Sequence, residues 1–256
     1  MTRKSRAPRA RVQRQRLGFW YRFVICVVKP VMLLLTKRDW RGAENIPAEG
    51  GIIVAANHVS EMDPLVVGHF LVNLNRAPRF LAKSELFRKP PMKWIVEGAK
   101  QIPVYRKATD ASAAVAPAVE ALKQGECVLI YPEGSATRDP DLWPMKARTG
   151  VARVALMSDA PVIPIAMWGP EAVLPYKARR PKVFPRRTMK LIAGPPVDLS
   201  AYKGKPLTAE ILHAATDTIM RRIADQLSEL RGERPPTEFY DMKAAGTTAP
   251  SLKGTA

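Results

Sequence analysis

Short apolar runs alternate with polar, helix-periodic stretches through the middle of this chain. Ile52-Ile53-Val54-Ala55-Ala56 contains no polar residue, as a strand covered on both faces requires. Residues 80–82, 102–105, 128–131, 162–167 and 189–193, apolar except for Lys190 and the Tyr105 and Tyr131 hydroxyls, predict further strands. Between them, 64–74, 91–97, 109–124 and 150–158 read as helices, and 208–230 as a long amphipathic one. Strands alternating with helices predict an α/β domain, a mixed, largely parallel sheet flanked by helices. In such sheets ligands gather beyond the carboxyl ends of the strands.

The ends of the chain follow a different pattern. Residues 17–36 are almost wholly apolar and begin with Phe19, Trp20, Tyr21 and Phe23, aromatic residues suited to a bilayer interface. The length matches a membrane span, but Arg22, Lys29 and Pro30 count against one. Lys37-Arg38-Asp39-Trp40 offers no small-residue cleavage site, which counts against a signal peptide. The segment 17–38 therefore reads as an amphipathic helical element lying at a membrane interface, broken at Pro30. Residues 1–16 are expected to be a basic disordered tail, 39–232 the α/β domain, and 233–256, rich in Pro, Gly, Ala and Thr, a flexible C-terminal tail.

Charge sharpens the choice of partner. The 256 residues hold 41 Lys and Arg against 23 Asp and Glu. Residues 1–38 contain eleven basic residues and no acid, and 177–190 add Lys177, Arg179, Arg180, Lys182, Arg186, Arg187 and Lys190. Such stripes attract polyanions. No helix-turn-helix, zinc-ligand cluster or nucleic-acid aromatic motif accompanies them, so an anionic membrane surface is expected and nucleic acid is not. Two cysteines, Cys26 and Cys127, provide neither a disulfide framework nor a metal motif, which fits a reducing compartment.

The chemistry concentrates where the first apolar run stops, at Asn57-His58-Val59-Ser60-Glu61-Met62-Asp63-Pro64. A histidine at a strand end and a carboxylate at the start of the next helix can face each other across a short turn. Asp63 is expected as the N-cap and Pro64 in the first turn. An acid that holds one ring nitrogen fixes the tautomer and leaves the other free as a base. His69 and His213 have no comparable setting and read as structural.

Three further segments follow in order: Gly98–Arg106, a short strand ending in arginine; Cys127–Ser135, a buried strand opening into the Pro132-Glu133-Gly134 turn; and Ala160–Ala166, a strand containing Pro164. With the His-x4-Asp turn they resemble the four sequence blocks of the glycerolipid acyltransferase family, over roughly residues 40–200. The resemblance implies that His58 and Asp63 are catalytic. It ties Arg106 to an acceptor phosphate, Glu133, Gly134 and Ser135 to acceptor binding, and Pro164 to the acyl-donor side. Ser135 stands where the family commonly has threonine. The arginine that usually follows is matched by Arg138 only across a two-residue insertion, and Met145-Lys146-Ala147-Arg148 replaces a basic-aromatic pair.

The function implied is transfer of a fatty acyl group from acyl-CoA to the free hydroxyl of 1-acylglycerol 3-phosphate, giving phosphatidic acid. Glycerol 3-phosphate or another lysophospholipid is the alternative acceptor, and an acyl carrier protein the alternative donor. Neither metal nor cofactor is implied beyond acyl-CoA as co-substrate. Ser60 lacks a nucleophile-elbow context and Cys127 opens a buried strand, so direct transfer through one ternary complex is expected. Backbone N–H groups near His58 or Gly134 are candidates to stabilise an oxyanion. The 177–190 stripe suits either CoA phosphates or acidic headgroups. Together these features imply a peripheral or monotopic enzyme on the cytoplasmic face of the cell membrane. The reading from a different class is a non-catalytic basic protein that binds anionic lipid.

Overall fold

A computed structural model describes residues 17–104, 111–242 and 244. Seven strands form one sheet in the order β1-β7-β6-β2-β5-β3-β4. They are β1 (Thr36–Arg41), β2 (Ile52–Ala56), β3 (Pro78–Lys83), β4 (Ile102–Val104), β5 (Cys127–Ile130), β6 (Val162–Trp168) and β7 (Arg187–Ala193). β6 and β7 are antiparallel and every other neighbouring pair is parallel. The helices are α1 (Phe19–Leu35), α2 (Asp63–Asn73), α3 (Met92–Gly98), α4 (Ala111–Lys123), α5 (Gly150–Ser158), α6 (Pro170–Val173) and α7 (Ala209–Arg231).

Alternation along β2 explains why its sequence carries no polar residue. Ile53 and Ala55 face a core built with α4, α5 and α7. Ile52, Val54 and Ala56 face a second core that holds Phe70 and Leu71 of α2 and Met32 of α1. Both faces of the strand are thus removed from water, the usual state of a central parallel strand. β2 lies between β5 and β6, so the turn after Ala56 opens at the centre of the sheet.

Four expectations need correction. α1 continues through Pro30 without a break. The boundary placed between residues 38 and 39 falls inside β1, whose charged residues pair in parallel with β7 from Thr36↔Arg187 to Arg41↔Ile192. The tail expected from residue 233 is docked as far as Asp241. Phe239 is buried, Lys146 N donates to Tyr240 O at 3.0 Å, and Lys146 Nζ meets Asp241 Oδ2 at 3.0 Å. One buried aromatic in a polar segment anchors it. Finally, Asp63 is the first residue of α2, and Met62 is the N-cap.

Candidate active site

The turn after β2 is held by its own side chains. Asn57, fully buried, extends the β2–β6 pairing: its Oδ1 accepts from Met167 N at 2.8 Å and its Nδ2 donates to Met167 O at 3.1 Å. His58 follows, and its Nδ1 lies 2.7 Å from Asp63 Oδ2. The same oxygen accepts from Val59 N at 2.6 Å and Ser60 N at 2.9 Å. Asp63 is completely buried while the His58 side chain is 13% exposed. Burial pushes the Asp63 carboxyl above its ordinary range, against the pull of those three donors. With Nδ1 committed to Asp63, the free ring nitrogen of His58 is Nε2, the acceptor of the neutral tautomer.

Tyr131, at the end of β5, stacks on the imidazole with ring centroids 4.4 Å apart and planes 27° apart. It fixes the ring orientation that the Asp63 bond leaves free to tilt. Burial and the neighbouring Asp63 push the Tyr131 phenol well above its usual value, so it stays neutral. Sequence reasoning treated Tyr131 only as the end of a strand. Its place immediately before Pro132-Glu133-Gly134 was the available signal.

Glu133 turns inward and is 4% exposed. Its Oε1 accepts from His58 N at 2.9 Å, and its Oε2 accepts from Met145 N, also at 2.9 Å. Burial pushes its pKa up to about 8, opposed by these two amide bonds. The carboxyl group thus ties the turn carrying the histidine to the strand-like segment at Met145. Thr137 N adds a second tie, donating to His58 O at 2.7 Å. Gly134 adopts φ +76°, and a Cβ there would meet Arg148 Nε at 3.2 Å, so glycine serves both the turn and the close arginine. Ser135 is half-buried in the same turn. Among the N–H groups near His58 and Gly134, His58 N is engaged by Glu133, Val59 N and Ser60 N by Asp63, and Gly134 N by Tyr131 O at 3.0 Å.

The structure brings His58, Asp63, Glu133, Gly134 and Ser135 to one place and leaves Pro164 apart from them. Pro164 is buried within β6 opposite Ala55, against Gly194. Arg106 lies outside the described residues. Two other cations stand nearby. Arg148 borders Gly134, and the Arg138 guanidinium lies 5.3 Å above the Tyr176 ring. Among the described residues no group of three or more His, Cys, Asp and Glu side chains is arranged to hold a metal ion.

An apolar cavity of about 370 Å³ opens beside the first turn of α2. Its wall begins at Pro64 and Leu65, directly after Asp63, and continues along Gly68, His69 and Val72. α1 covers it with Tyr21, Ile25 and Val28, and α3 closes it with Met92, Ile95 and Val96. α1 meets α3 where Trp20 lies so close to Gly98 that any Cβ there would clash. His69 is buried in the cavity wall, edge-on to Trp40 with centroids 5.0 Å apart, and neither ring nitrogen has a hydrogen-bond partner. Burial, with Arg38 and Lys29 nearby, lowers its pKa to about 4, so it is neutral.

Comparison with known proteins adds an independent line. The acyltransferase family model matches residues 37–168, which run from the second residue of β1 to the end of β6 and contain the whole His58 turn. A 1-acyl-sn-glycerol-3-phosphate acyltransferase of Bacillus subtilis (strain 168) is 30% identical over 213 residues, 82% of this chain and 98% of that protein. The chloroplastic 1-acyl-sn-glycerol-3-phosphate acyltransferase BAT2 of Brassica napus is 27% identical over 141 residues, 54% of this chain and 39% of that one. The crystal structure of PlsC from Thermotoga maritima, a 1-acyl-sn-glycerophosphate acyltransferase, superposes with a TM-score of 0.65. It is 24% identical and covers 84% of this chain and 81% of its own, so the fold is shared.

Proposed function

Because this chain belongs to the acyltransferase family, we propose that it moves a fatty acyl group from acyl-CoA to the free hydroxyl of 1-acylglycerol 3-phosphate. Family membership makes the chain an O-acyltransferase, and the non-catalytic reading of its basic surface falls away. The observation that carries the mechanism is the His58 Nδ1–Asp63 Oδ2 contact of 2.7 Å, next in the chain to an apolar cavity whose wall begins at Pro64.

The chemistry follows from that contact. A neutral alcohol attacks a thioester poorly. His58 Nε2 takes the hydroxyl proton as the oxygen bonds to the acyl carbon, an effect typically worth about 10²–10⁴ in rate. Asp63 keeps Nδ1 protonated and offsets the positive charge that then forms on the ring. The C–S bond breaks as the tetrahedral intermediate collapses, and the imidazolium returns its proton to the departing thiolate. No protein nucleophile is needed. Ser60 Oγ donates to Leu174 O at 2.6 Å and accepts from Met62 N at 3.1 Å, so it serves the turn.

The cavity suits the acyl chain, with about 0.8 kcal/mol gained for each methylene taken from water. Arg148 and Arg138 suit the acceptor phosphate, for which a guanidinium offers paired donors. α1 suits a position on the bilayer surface. Its inner face roofs the cavity, while Phe19, Phe23, Val27, Val31 and Leu34 form an exposed apolar stripe at helical spacing. No helix among the described residues is long and apolar enough to cross a membrane. A substrate chain can then pass from the bilayer to His58 beneath α1 on the cytoplasmic face.

Purified protein offered labelled acyl-CoA, labelled acyl carrier protein and a panel of glycerophosphate acceptors tests this reading. Phosphatidic acid should form from 1-acylglycerol 3-phosphate and acyl-CoA, and His58→Ala should lower the rate by about 10²–10⁴. Undiminished transfer by the variant, or acyl label retained covalently on the protein, would refute the mechanism.

A further inference from the structure

Between α6 and β7, residues 174–186 carry Lys177, Arg179, Arg180, Lys182 and Arg186 with no acidic residue among them. All five are exposed. The base of this loop is fixed. Ser60 of the catalytic turn donates to Leu174 O at 2.6 Å, Tyr176 lies under Arg138, and Lys182 N donates to Val173 O at 2.7 Å. Val183 turns inward and joins the apolar cluster that holds Met32 and Val28 of α1.

Phe184 then turns outward and is 77% exposed, the barest large apolar side chain among the described residues. Two residues on, Arg186 Nη2 donates to Leu33 O and Thr36 O, both at 2.8 Å. This clasp fixes the loop against the last turn of α1, where Leu34 is 72% exposed. The C-terminal end of the α1 stripe and the end of the loop that carries Phe184 are therefore held together. β1 adds exposed Lys37 and Arg38 beside them, followed by exposed Asp39.

Charge by itself suits any polyanion, the phosphates of CoA included. A bare phenylalanine among five cations gains nothing from a soluble phosphate, because its ring would stay in water. At an anionic bilayer the ring leaves water while the surrounding cations meet lipid phosphates. We propose that residues 174–186 form a second contact with an anionic membrane, with Phe184 entering beside Leu34 and Arg179, Arg180 and Lys182 held at the headgroups. This extends the reading of α1 as a membrane-facing helix and rests on it. Because the base of the loop is bonded to the turn carrying His58, the contact would seat the active site at the surface where its lipid substrates lie.

The full chain is tested by sedimentation with vesicles of equal parts phosphatidylglycerol and phosphatidylcholine, and with phosphatidylcholine alone. All substituted positions are exposed and none belongs to the catalytic turn. Each basic residue near an anionic surface is worth about fivefold in affinity, so Arg179→Gln/Arg180→Gln/Lys182→Gln should bind the anionic vesicles about a hundredfold more weakly. Phe184→Ser should bind them about tenfold more weakly. Both variants should turn over a water-soluble short-chain acyl-CoA and acceptor as the unmodified protein does. If the unmodified protein sediments and both variants sediment equally well, the loop proposal is overturned and the α1 reading stands. If the unmodified protein does not sediment with anionic vesicles, both are overturned. A raised KM for soluble acyl-CoA in the triple variant, with vesicle binding unchanged, would assign the stripe to CoA instead.

Discussion

Glu133→Gln separates two roles for the most conspicuous acid in the Pro-Glu-Gly turn. The family resemblance ties this position to the acceptor, whereas both carboxyl oxygens are engaged by the backbone amides of His58 and Met145. Glutamine keeps the shape and one acceptor oxygen. Its Nε2 cannot accept, whatever the protonation state of the glutamate it replaces, so one buried N–H loses its partner. Such a loss costs about 1–3 kcal/mol. For a domain of this size, about 2 kcal/mol corresponds to a fall in Tm of about 4–8 °C. If His58 N is the donor released, the turn relaxes and Nε2 moves away from the hydroxyl whose proton it takes, with kcat falling about a hundredfold for a displacement near 1 Å. A bracing role therefore predicts a lower Tm and kcat with the acceptor KM nearly unchanged. Thermal unfolding and steady-state kinetics with varied acceptor measure all three. A rise of tenfold or more in acceptor KM, with Tm and kcat unaltered, would show that the carboxyl group faces the ligand.

Asp63→Asn should fold but transfer acyl groups about 10²–10⁴ times more slowly in single-turnover assays, since the amide no longer holds the productive tautomer. Retention of more than half the rate would remove Asp63 from the mechanism. Gly68→Leu should shorten the acyl chains accepted: a Cβ at Gly68 just touches Phe80 at 3.5 Å, and a larger side chain enters the cavity. Losing burial of four methylenes would cost about 3 kcal/mol, read as a collapse of kcat/KM for long donors with short ones spared. His69, neutral in the fold with its pKa lowered to about 4, makes the native state refuse a proton that the unfolded chain accepts. Its contribution is present above about pH 6.5 and is lost as pH falls through about 4, at most about 3 kcal/mol. Denaturant titrations of His69→Leu should show a shallower loss of stability across that window; an unchanged slope would contradict the assigned burial.

The alternation of apolar runs and helix-periodic stretches was sufficient to reveal the α/β class and most of the strands. A central strand must be apolar on both faces, and that requirement is written locally in Ile52–Ala56. The His58–Asp63 pair was equally local, because five residues of turn bring the two side chains together. β1 escaped notice because Thr36-Lys37-Arg38-Asp39-Trp40-Arg41 is mostly exposed and charged. Only its pairing with β7, about 150 residues later, makes it a strand. The roles of Glu133 and Tyr131 were also beyond local reading. One reaches back 75 residues to the His58 amide and the other stacks on its ring, contacts set by the adjacency of β2 and β5. The cavity belongs to no segment of the sequence, since α1, α2 and α3 each supply one wall. Hydrophobic periodicity reports which side of an element leaves water, while packing alone decides what that side meets.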